Sequence, residues 1–317
     1  MKITVVYNQV KSLVIGNPED ILSEEDTVVT ARAISENLAT LGHEVSLFDL
    51  NEKSVGKLKS LSADFIFNCA YGIGSAAKSE PEVPNLLAKT GIPFSGSHSG
   101  AIILTNNKIA AKEILRANNL PTPGSEKFPL IVKLSDEHCS LGITDRSVVK
   151  SFRELRIQTE KLKKAYSQNI LIEEFIDGRE LNVTVLGNEV LPISEIIFGP
   201  SFKNKYKIVD FAAKWEEKSL AFKETNGVCP AILPKDIEEK IKTIAVKAVS
   251  ATNCLDYTRV DFRLSKDNAP YILDINANPA IGPDDGATRS AKAAGFSYPQ
   301  FLQKIIDVSL ARFNHKV

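Results

Sequence analysis

The run Tyr271-Ile272-Leu273-Asp274-Ile275-Asn276-Ala277-Asn278-Pro279 constrains the fold more than any other stretch of the chain. It reads as a buried strand, and because side chains two apart point to one face, Asp274 and Asn276 leave it together near its end. A second strand-like run lies just upstream, Tyr257-Thr258-Arg259-Val260-Asp261-Phe262, where Arg259 and Asp261 share a face by the same period. Such a pair of strands presents Asp261, Asp274, Asn276 and Arg259 side by side. Two carboxylates and an amide oxygen, with no His or Cys nearby, suit a hard ion such as Mg2+ that keeps waters and bridges nucleotide phosphates. The Arg would meet the anionic charge gathered there. The plainer alternative is two acids at exposed strand ends, with Arg259 paired to one of them.

A chain of 317 residues is too long for one ordinary core, so two or three compact units are expected. Lys plus Arg equals Asp plus Glu at 39 each, which leaves no basic field to hold nucleic acid or an anionic membrane by charge alone. No apolar run reaches spanning length, and the N-terminus opens directly into the strand-like Ile3-Thr4-Val5-Val6. A soluble cytoplasmic protein follows as the expectation, with neither nucleic acid nor membrane as partner. Cys69, Cys139, Cys229 and Cys254 lack C-x-x-C spacing, which argues against zinc or a disulfide scaffold.

The first hundred residues alternate strand and helix patterns, as in a parallel α/β unit. Ala31, Ile34, Leu38 and Leu41 give one helix its apolar face, and Gly42 stands where a left-handed cap is wanted. The loops after these strands, 8–26 and 69–75, lie where open α/β sheets bind ligands; Gly72 and Gly74 permit close approach or simply make a turn. Residues 91–97 look like the crossing into a second unit, and a helix is predicted from about Asn106 to Asn118. The strand 128–134 carries a single Lys133, which reaches either a phosphate or, from an edge, water. The loop 135–142 is small and polar enough to cover phosphates through its N–H groups, and equally reads as a surface loop.

A helix from about Ser151 carries Lys161, Lys163 and Lys164 as a solvated face. Residues 169–176 read as a strand turning at Asp177-Gly178 into 179–185 as its hairpin partner. That hinge offers backbone groups for a purine edge, Phe175 and Ile176 for its face and Glu180 for ribose hydroxyls. From Gly199 to Thr225 the chain is polar and irregular, a lid or a disordered loop, and carries Lys205, Lys207, Lys214 and the only Trp, Trp215. A long amphipathic helix through Ile237, Ile241, Ile244 and Ala248 follows, then the two ligand strands and helices at about 286–294 and 298–313.

The order of these pieces, V-K in a strand, a small polar loop, I-E-E-F-I-D-G-R-E, A-K-W, C-P-A, T-R-V-D and L-D-I-N-A-N-P, resembles the ATP-grasp superfamily and, within it, the D-alanine:D-alanine ligases. The resemblance covers nearly the whole chain and is carried mostly from Gly91 onward. It implies an α/β ATP-grasp enzyme of three subdomains: an N-terminal parallel α/β unit at 1–99, a central α+β unit at 100–174, and a C-terminal α+β unit at 175–317 with lid and metal site. It implies ATP held between the last two, a homodimer, and a carboxylate joined to an amine through an acyl phosphate, with release of ADP and phosphate. By position, Lys108 and Lys133 are similar to the phosphate-contacting lysines, and Glu173, Glu174, Phe175 and Ile176 to the adenine hinge. Glu180 is similar to the ribose ligand, and Lys214 to the lid lysine near the γ-phosphate. Asp261, Asp274 and Asn276 correspond to the Mg2+ ligands, which Mn2+ can also occupy, and Arg259 to the cation that stabilises the tetrahedral intermediate.

The substrate side departs from that pattern. Glu25 falls near the acid that greets the first amino acid's ammonium, but without the usual glycine-rich lead-in. Cys139, with Ser140 beside it, replaces a substrate-side serine, Trp215 replaces a lid tyrosine or phenylalanine, and Ala280 stands at an oxyanion-hole glycine. Asp284-Asp285-Gly286 replaces the segment holding the second substrate's carboxylate. Since Asp repels a carboxylate in a poorly hydrated site, the expectation is an amine that lacks a free carboxylate or carries extra positive charge; the plainer role for both acids is to cap the helix that follows. An authentic D-alanine:D-alanine ligase and a non-catalytic ATP-binding regulatory protein are the alternatives.

Overall fold

In the computed structural model, residues 1–10, 22–76, 78–136, 140–166 and 168–314 are described, those of 22–26 for their backbone only. The chain builds three sheets in succession, each made by the residue pattern of its own segment.

In the first, β1 (Lys2–Tyr7), α1 (Leu22–Ala39), β2 (Glu44–Asp49), β3 (Phe65–Asn68) and α2 (Glu82–Ala88) give a parallel sheet in the order β2-β1-β3. β1 buries both of its faces, as a parallel strand covered on either side must. Ile3 and Val5 pack with Ile34 and Leu38 of α1, while Val6 packs with Ile66, Val83 and Leu87 on the far side. Leu41, expected on the apolar face of α1, is exposed because the helix ends at Ala39, and Gly42 makes the left-handed turn at φ +84°.

The second unit holds α3 (Ser99–Asn106), α4 (Lys108–Ala117), β4 (Leu130–Leu134), β5 (Val148–Val149), α5 (Phe152–Tyr166) and β6 (Ile170–Glu174), its antiparallel sheet ordered β5-β4-β6. The helix predicted from about Asn106 to Asn118 is α4, and α3 precedes it. Asn107 is extended and accepts the Ala110 N–H, which starts α4 afresh. Leu130, Val132 and Leu134 cover Leu162 and Tyr166 of α5. By the period of two, Lys133 and Glu173 face the opposite way, toward the third unit.

That unit comprises β7 (Gly178–Leu186), β8 (Glu189–Val190), β9 (Ser194–Phe198), α6 (Phe211–Trp215), α7 (Leu220–Lys223), β10 (Thr225–Val228), α8 (Lys235–Ala251), β11 (Tyr257–Ser265), β12 (Pro270–Asn276), α9 (Gly286–Ala293) and α10 (Tyr298–Asn314). Its antiparallel sheet runs β10-β9-β7-β11-β12, with β8 against β7. Leu181, Val183, Val260, Phe262 and Ile275 pack with Ile241, Ala245 and Ala248 of α8, which leaves the polar alternates on the open face. The segment 199–225 holds α6 and α7, started by the caps Asp210 and Ser219.

The expected hairpin between 169–176 and 179–185 does not form. β6 pairs with β4 in one sheet while β7 pairs with β11 and β9 in another, so 175–177 is a crossing between sheets. Gly178 sits where that crossing meets β11: a Cβ there would lie 1.9 Å from the Leu264 carbonyl oxygen. Gly178→Ala should therefore lower stability by about 1–3 kcal/mol, read from the urea midpoint; an unchanged midpoint would show that the strand ends can shift freely.

Candidate active site

Strand register decides which polar groups meet. Asp274 pairs with Asp261, Asp261 with Asn182, and Asn182 with Ser194, giving a polar row across four strands about 4.8 Å apart. Arg259 and Asn276 form the neighbouring row. Arg259 grips Asp261 with a fork, Nε to Oδ1 at 2.7 Å and Nη2 to Oδ2 at 2.9 Å, and Asp261 also accepts from Asn182 Nδ2 at 2.8 Å and Asn276 Nδ2 at 3.0 Å. The two acids and Asn276 thus lie together, as the period-two reading expects. No three His, Cys, Asp or Glu side chains cluster as a metal site among the described residues, so two carboxylates and one amide would be the protein's set. Oxygen donors on one face, charge-balanced by Arg and Lys, fit a hard divalent ion that takes its other ligands from phosphates and water.

The central sheet meets this row from the other side. Asp274 lies 3.6 Å from Lys133 Nζ and 3.9 Å from Lys108 Nζ, and both lysines are buried. Lys133 sits on the middle strand of its sheet, so the edge alternative falls. Burial works against its ammonium, and Asp274 and Glu173 outweigh it, so its pKa lies above the ordinary lysine value. Of the residues assigned to the hinge, Glu173 is 1% exposed, its carboxylate locked at 2.8 Å to Lys112 and 2.8 Å to Lys133. The Glu174 side chain leaves the opposite face and accepts the Lys127 N–H.

Lys112 was missed by sequence reasoning. It is buried on α4 and donates to Thr122 Oγ1 and to the carbonyls of Ile272 and Leu273, pinning β12 to Glu173. The available signal was a Lys four residues after Lys108, on the same helical face.

Beyond the lysines the cleft becomes apolar. Phe175, Ile131, Val148, Tyr206 and Ile208 form one cluster, with Phe175 against Tyr206 at 4.9 Å, and half-buried Ile176 follows on the crossing. Glu180 pairs with Arg263 at 2.8 Å. Burial raises the Glu180 pKa against the pull of Arg263. Arg263 also donates to the carbonyls of Gly178 and Lys207 and lies 5.6 Å from the Phe175 ring. It too went unread, although the period that joins 259 and 261 continues to 263.

Of the substrate-side residues, Cys139 and the side chain of Glu25 lie outside the described residues. Ser140, at φ +62°, donates to the Val209 carbonyl at 2.8 Å, tying its loop to the segment 199–225. Lys214 stands on α6 with Nζ 5.1 Å from the Trp215 ring, and has no ion-pair partner among the described residues. Ala280 is half-buried on the turn leaving β12. Next to it Asn278 accepts from the Tyr257 hydroxyl and donates to Ala70 O and Glu80 Oε1, fastening the first unit's loop to the end of β12. Burial pushes the Cys69 thiol up to about 12, which removes it as a nucleophile at neutral pH.

The two acids of the segment 284–286 are placed differently. Asp284 is exposed, and Asp285 Oδ2 accepts the Gly282 N–H at 2.7 Å instead of capping α9. A cation unnoticed in the sequence, Arg289, stands over Ser194 at the end of the polar row.

Comparison with known families matches residues 101–307 to the family model described as D-ala D-ala ligase C-terminus. The chain belongs to the D-alanine–D-alanine ligase family. Within it, the uncharacterized protein y4sG of Sinorhizobium fredii is 30% identical over 91% of this chain and 88% of its own length. A D-alanine–D-alanine ligase of Moorella thermoacetica is 26% identical over 94% and 98% of the two chains. The fold is that of the D-alanine–D-alanine ligase of Bacillus anthracis solved in complex with ATP, at TM-score 0.78 and 24% identity over the full length of both chains. The chain thus has the ATP-grasp fold of these ligases, and no helix among its described residues is long and apolar enough to cross a membrane.

Proposed function

We propose that this D-alanine–D-alanine ligase-like protein joins the carboxylate of an amino acid to an amine at the expense of ATP. The observation that carries the reading is the meeting of Lys108 and Lys133 with Asp274 across the cleft, with Arg259 in the adjoining row. Adenine would lie against Phe175 and Ile131, its ribose at Glu180, and its phosphates between the two lysines. Asp261, Asp274 and Asn276 would hold Mg2+ or Mn2+, which supplies neutralisation of the phosphate oxygens when bound.

A carboxylate oxygen of the acid attacks the γ-phosphorus and ADP leaves, giving a mixed anhydride. Lys133 and Lys108 stabilise the charge on the transferring group, and Lys214 would reach it from the lid. The amine then attacks the acyl carbon while Arg259 and the Ala280 N–H face the growing oxyanion. Phosphate departs and the amine gives up a proton to solvent. The lid with Trp215 excludes water, which would otherwise hydrolyse the anhydride.

A homodimer in the cytoplasm, with subdomains at 1–99, 100–174 and 175–317, is part of this reading. ADP release across D- and L-amino acids paired with amines, with mass spectrometry of the product, tests it. Lys214→Ala should lower kcat by roughly 10²-fold. ATP binding with no turnover on any pair would replace the ligase by a nucleotide-binding regulator.

A further inference from the structure

We infer that Asn278 is a positioning residue for the second half of the reaction: through Glu80 it ties the turn that carries the Ala280 N–H to the first unit, so that the amine captures the acyl phosphate before water does. The inference rests on the ligase reading above and adds to it what holds the oxyanion donor in place.

Asn278 stands midway between Asn276, at the end of β12, and Ala280. Past β12 the chain is irregular until α9 begins, and among the described residues no backbone–backbone hydrogen bond reaches 278–280. Buried Pro279 stiffens this stretch but has no N–H with which to fasten it. The Asn278 side chain does so instead. Its Nδ2 donates to the Ala70 carbonyl at 3.2 Å and to Glu80 Oε1 at 3.1 Å, and its Oδ1 accepts from the Tyr257 hydroxyl at 3.3 Å. All three bonds require one orientation of the amide, since a flip would set its oxygen against two others.

Glu80 completes the link. It is 9% exposed, and while Oε1 takes Asn278 from the third unit, Oε2 accepts Asn106 Nδ2 at 2.7 Å from the end of α3 in the second. A carboxylate accepts at both oxygens, so one side chain of the first unit holds an amide of each of the other two. Glutamine keeps the shape but offers a single acceptor, which leaves one of the two amides facing a donor. Tyr257, 1% exposed, braces the same corner by donating also to the Asn68 carbonyl at the end of β3. The three units thus meet at Asn278, between a proposed metal ligand on one side and the proposed oxyanion donor on the other.

An N–H stabilises an oxyanion only at short range and in line, so a shift of about 1 Å in this turn costs on the order of 10²-fold in rate. The oxyanion grows when the amine attacks the acyl carbon, after ADP has formed. Phosphoryl transfer relies on Lys108, Lys133 and the metal ligands, whose strand is separately pinned by Lys112 to Glu173. Loosening Asn278 therefore slows acyl transfer selectively, the anhydride persists longer, and water takes a larger share of it.

The test compares wild type, Asn278→Ala, Glu80→Gln and the double variant, with ADP counted against product by mass spectrometry and hydroxylamine added in parallel to trap acyl phosphate as hydroxamate. Asn278→Ala should lower kcat for product about 10- to 100-fold with the KM for ATP within a few-fold. It should keep the first-turnover burst of ADP and the hydroxamate, and raise ADP above a one-to-one ratio to product. Glu80→Gln should show the same pattern more weakly, and in the double variant it should add little to Asn278→Ala, because both act through one contact. Loss of the ADP burst together with turnover, a one-to-one ratio in both single variants, or effects that multiply in the double variant overturns the inference and leaves the ligase reading standing. Wild type that releases no ADP and forms no hydroxamate with any donor overturns both. Should Asn278→Ala fail to fold, Glu80→Gln, which keeps the shape of its side chain, decides alone by its burst and its ADP-to-product ratio.

Discussion

Glu173→Gln should cost about 3–5 kcal/mol of unfolding free energy, although it removes no apolar contact. The Glu173 carboxylate, 1% exposed, stands between two buried ammonium groups at 2.8 Å each. The amide keeps the shape, leaves Lys112 without an ion-pair partner among the described residues and leaves Lys133 with Asp274 alone. The pH dependence identifies the cause. Burial pushes the Glu173 carboxyl up, and Lys112 and Lys133 more than reverse it, so its folded pKa lies below the ordinary value. A depressed acid contributes stability above its unfolded pKa and loses it as pH falls through the folded one, so the wild type loses this increment only in acid. Lys133, raised in the fold, contributes below its ordinary value and loses the contribution as pH climbs through the folded one. Lys112, lowered by burial, works the other way and becomes less costly in base. Urea unfolding from neutral pH to pH 3 should show a steep acid loss in wild type and a shallower one in Glu173→Gln. Adding Lys112→Met to that variant should restore part of the stability, because the remaining ammonium, Lys133, still has Asp274 at 3.6 Å. Equal stability of wild type and Glu173→Gln at pH 7 would mean that water reaches this cluster.

How much of this was legible in the sequence follows from the reach of each interaction. A period of two within a strand is local, so the shared faces of Arg259 with Asp261 and of Asp274 with Asn276 could be read directly, and register then brings the strands together. The parallel sheet of the first unit and the boundaries of α9 and α10 were likewise carried by local pattern. What failed depended on partners far along the chain. The supposed hairpin at Asp177-Gly178 has a plausible turn, but β7 takes its neighbours from residues 194–198 and 257–265. Glu173 and Glu174 differ by one position, and only the placement of α4 shows that the first is enclosed by lysines. Arg289 lay in a helix that reads as ordinary closing structure, and its packing over Gly227 and Ser194 depends on strands far along the chain.

Arg259→Met should lower kcat by on the order of 10²–10³-fold while leaving the KM for ATP within a few-fold. The groups proposed to meet ATP lie elsewhere, Asp274 in the neighbouring row, Lys133 on the central sheet and Lys108 at the start of α4, whereas Arg259 lies beside Gly286 at the proposed acceptor end. The loss should fall on the second half of the reaction. A rapid burst of ADP should remain, because phosphoryl transfer to the acid does not depend on the oxyanion of the later step, and turnover after the burst should be slow. Arg259 also holds Asp261 through its fork, so part of any effect could pass through the misplacement of that acid. Arg259→Lys separates the two roles. It keeps a positive charge near the oxyanion but cannot reproduce the bidentate grip, so a variant limited by charge recovers the post-burst rate while one limited by positioning does not. Loss of the burst together with turnover would move Arg259 into the phosphoryl-transfer step, and activity of Arg259→Met within a few-fold of wild type would remove it from the chemistry altogether.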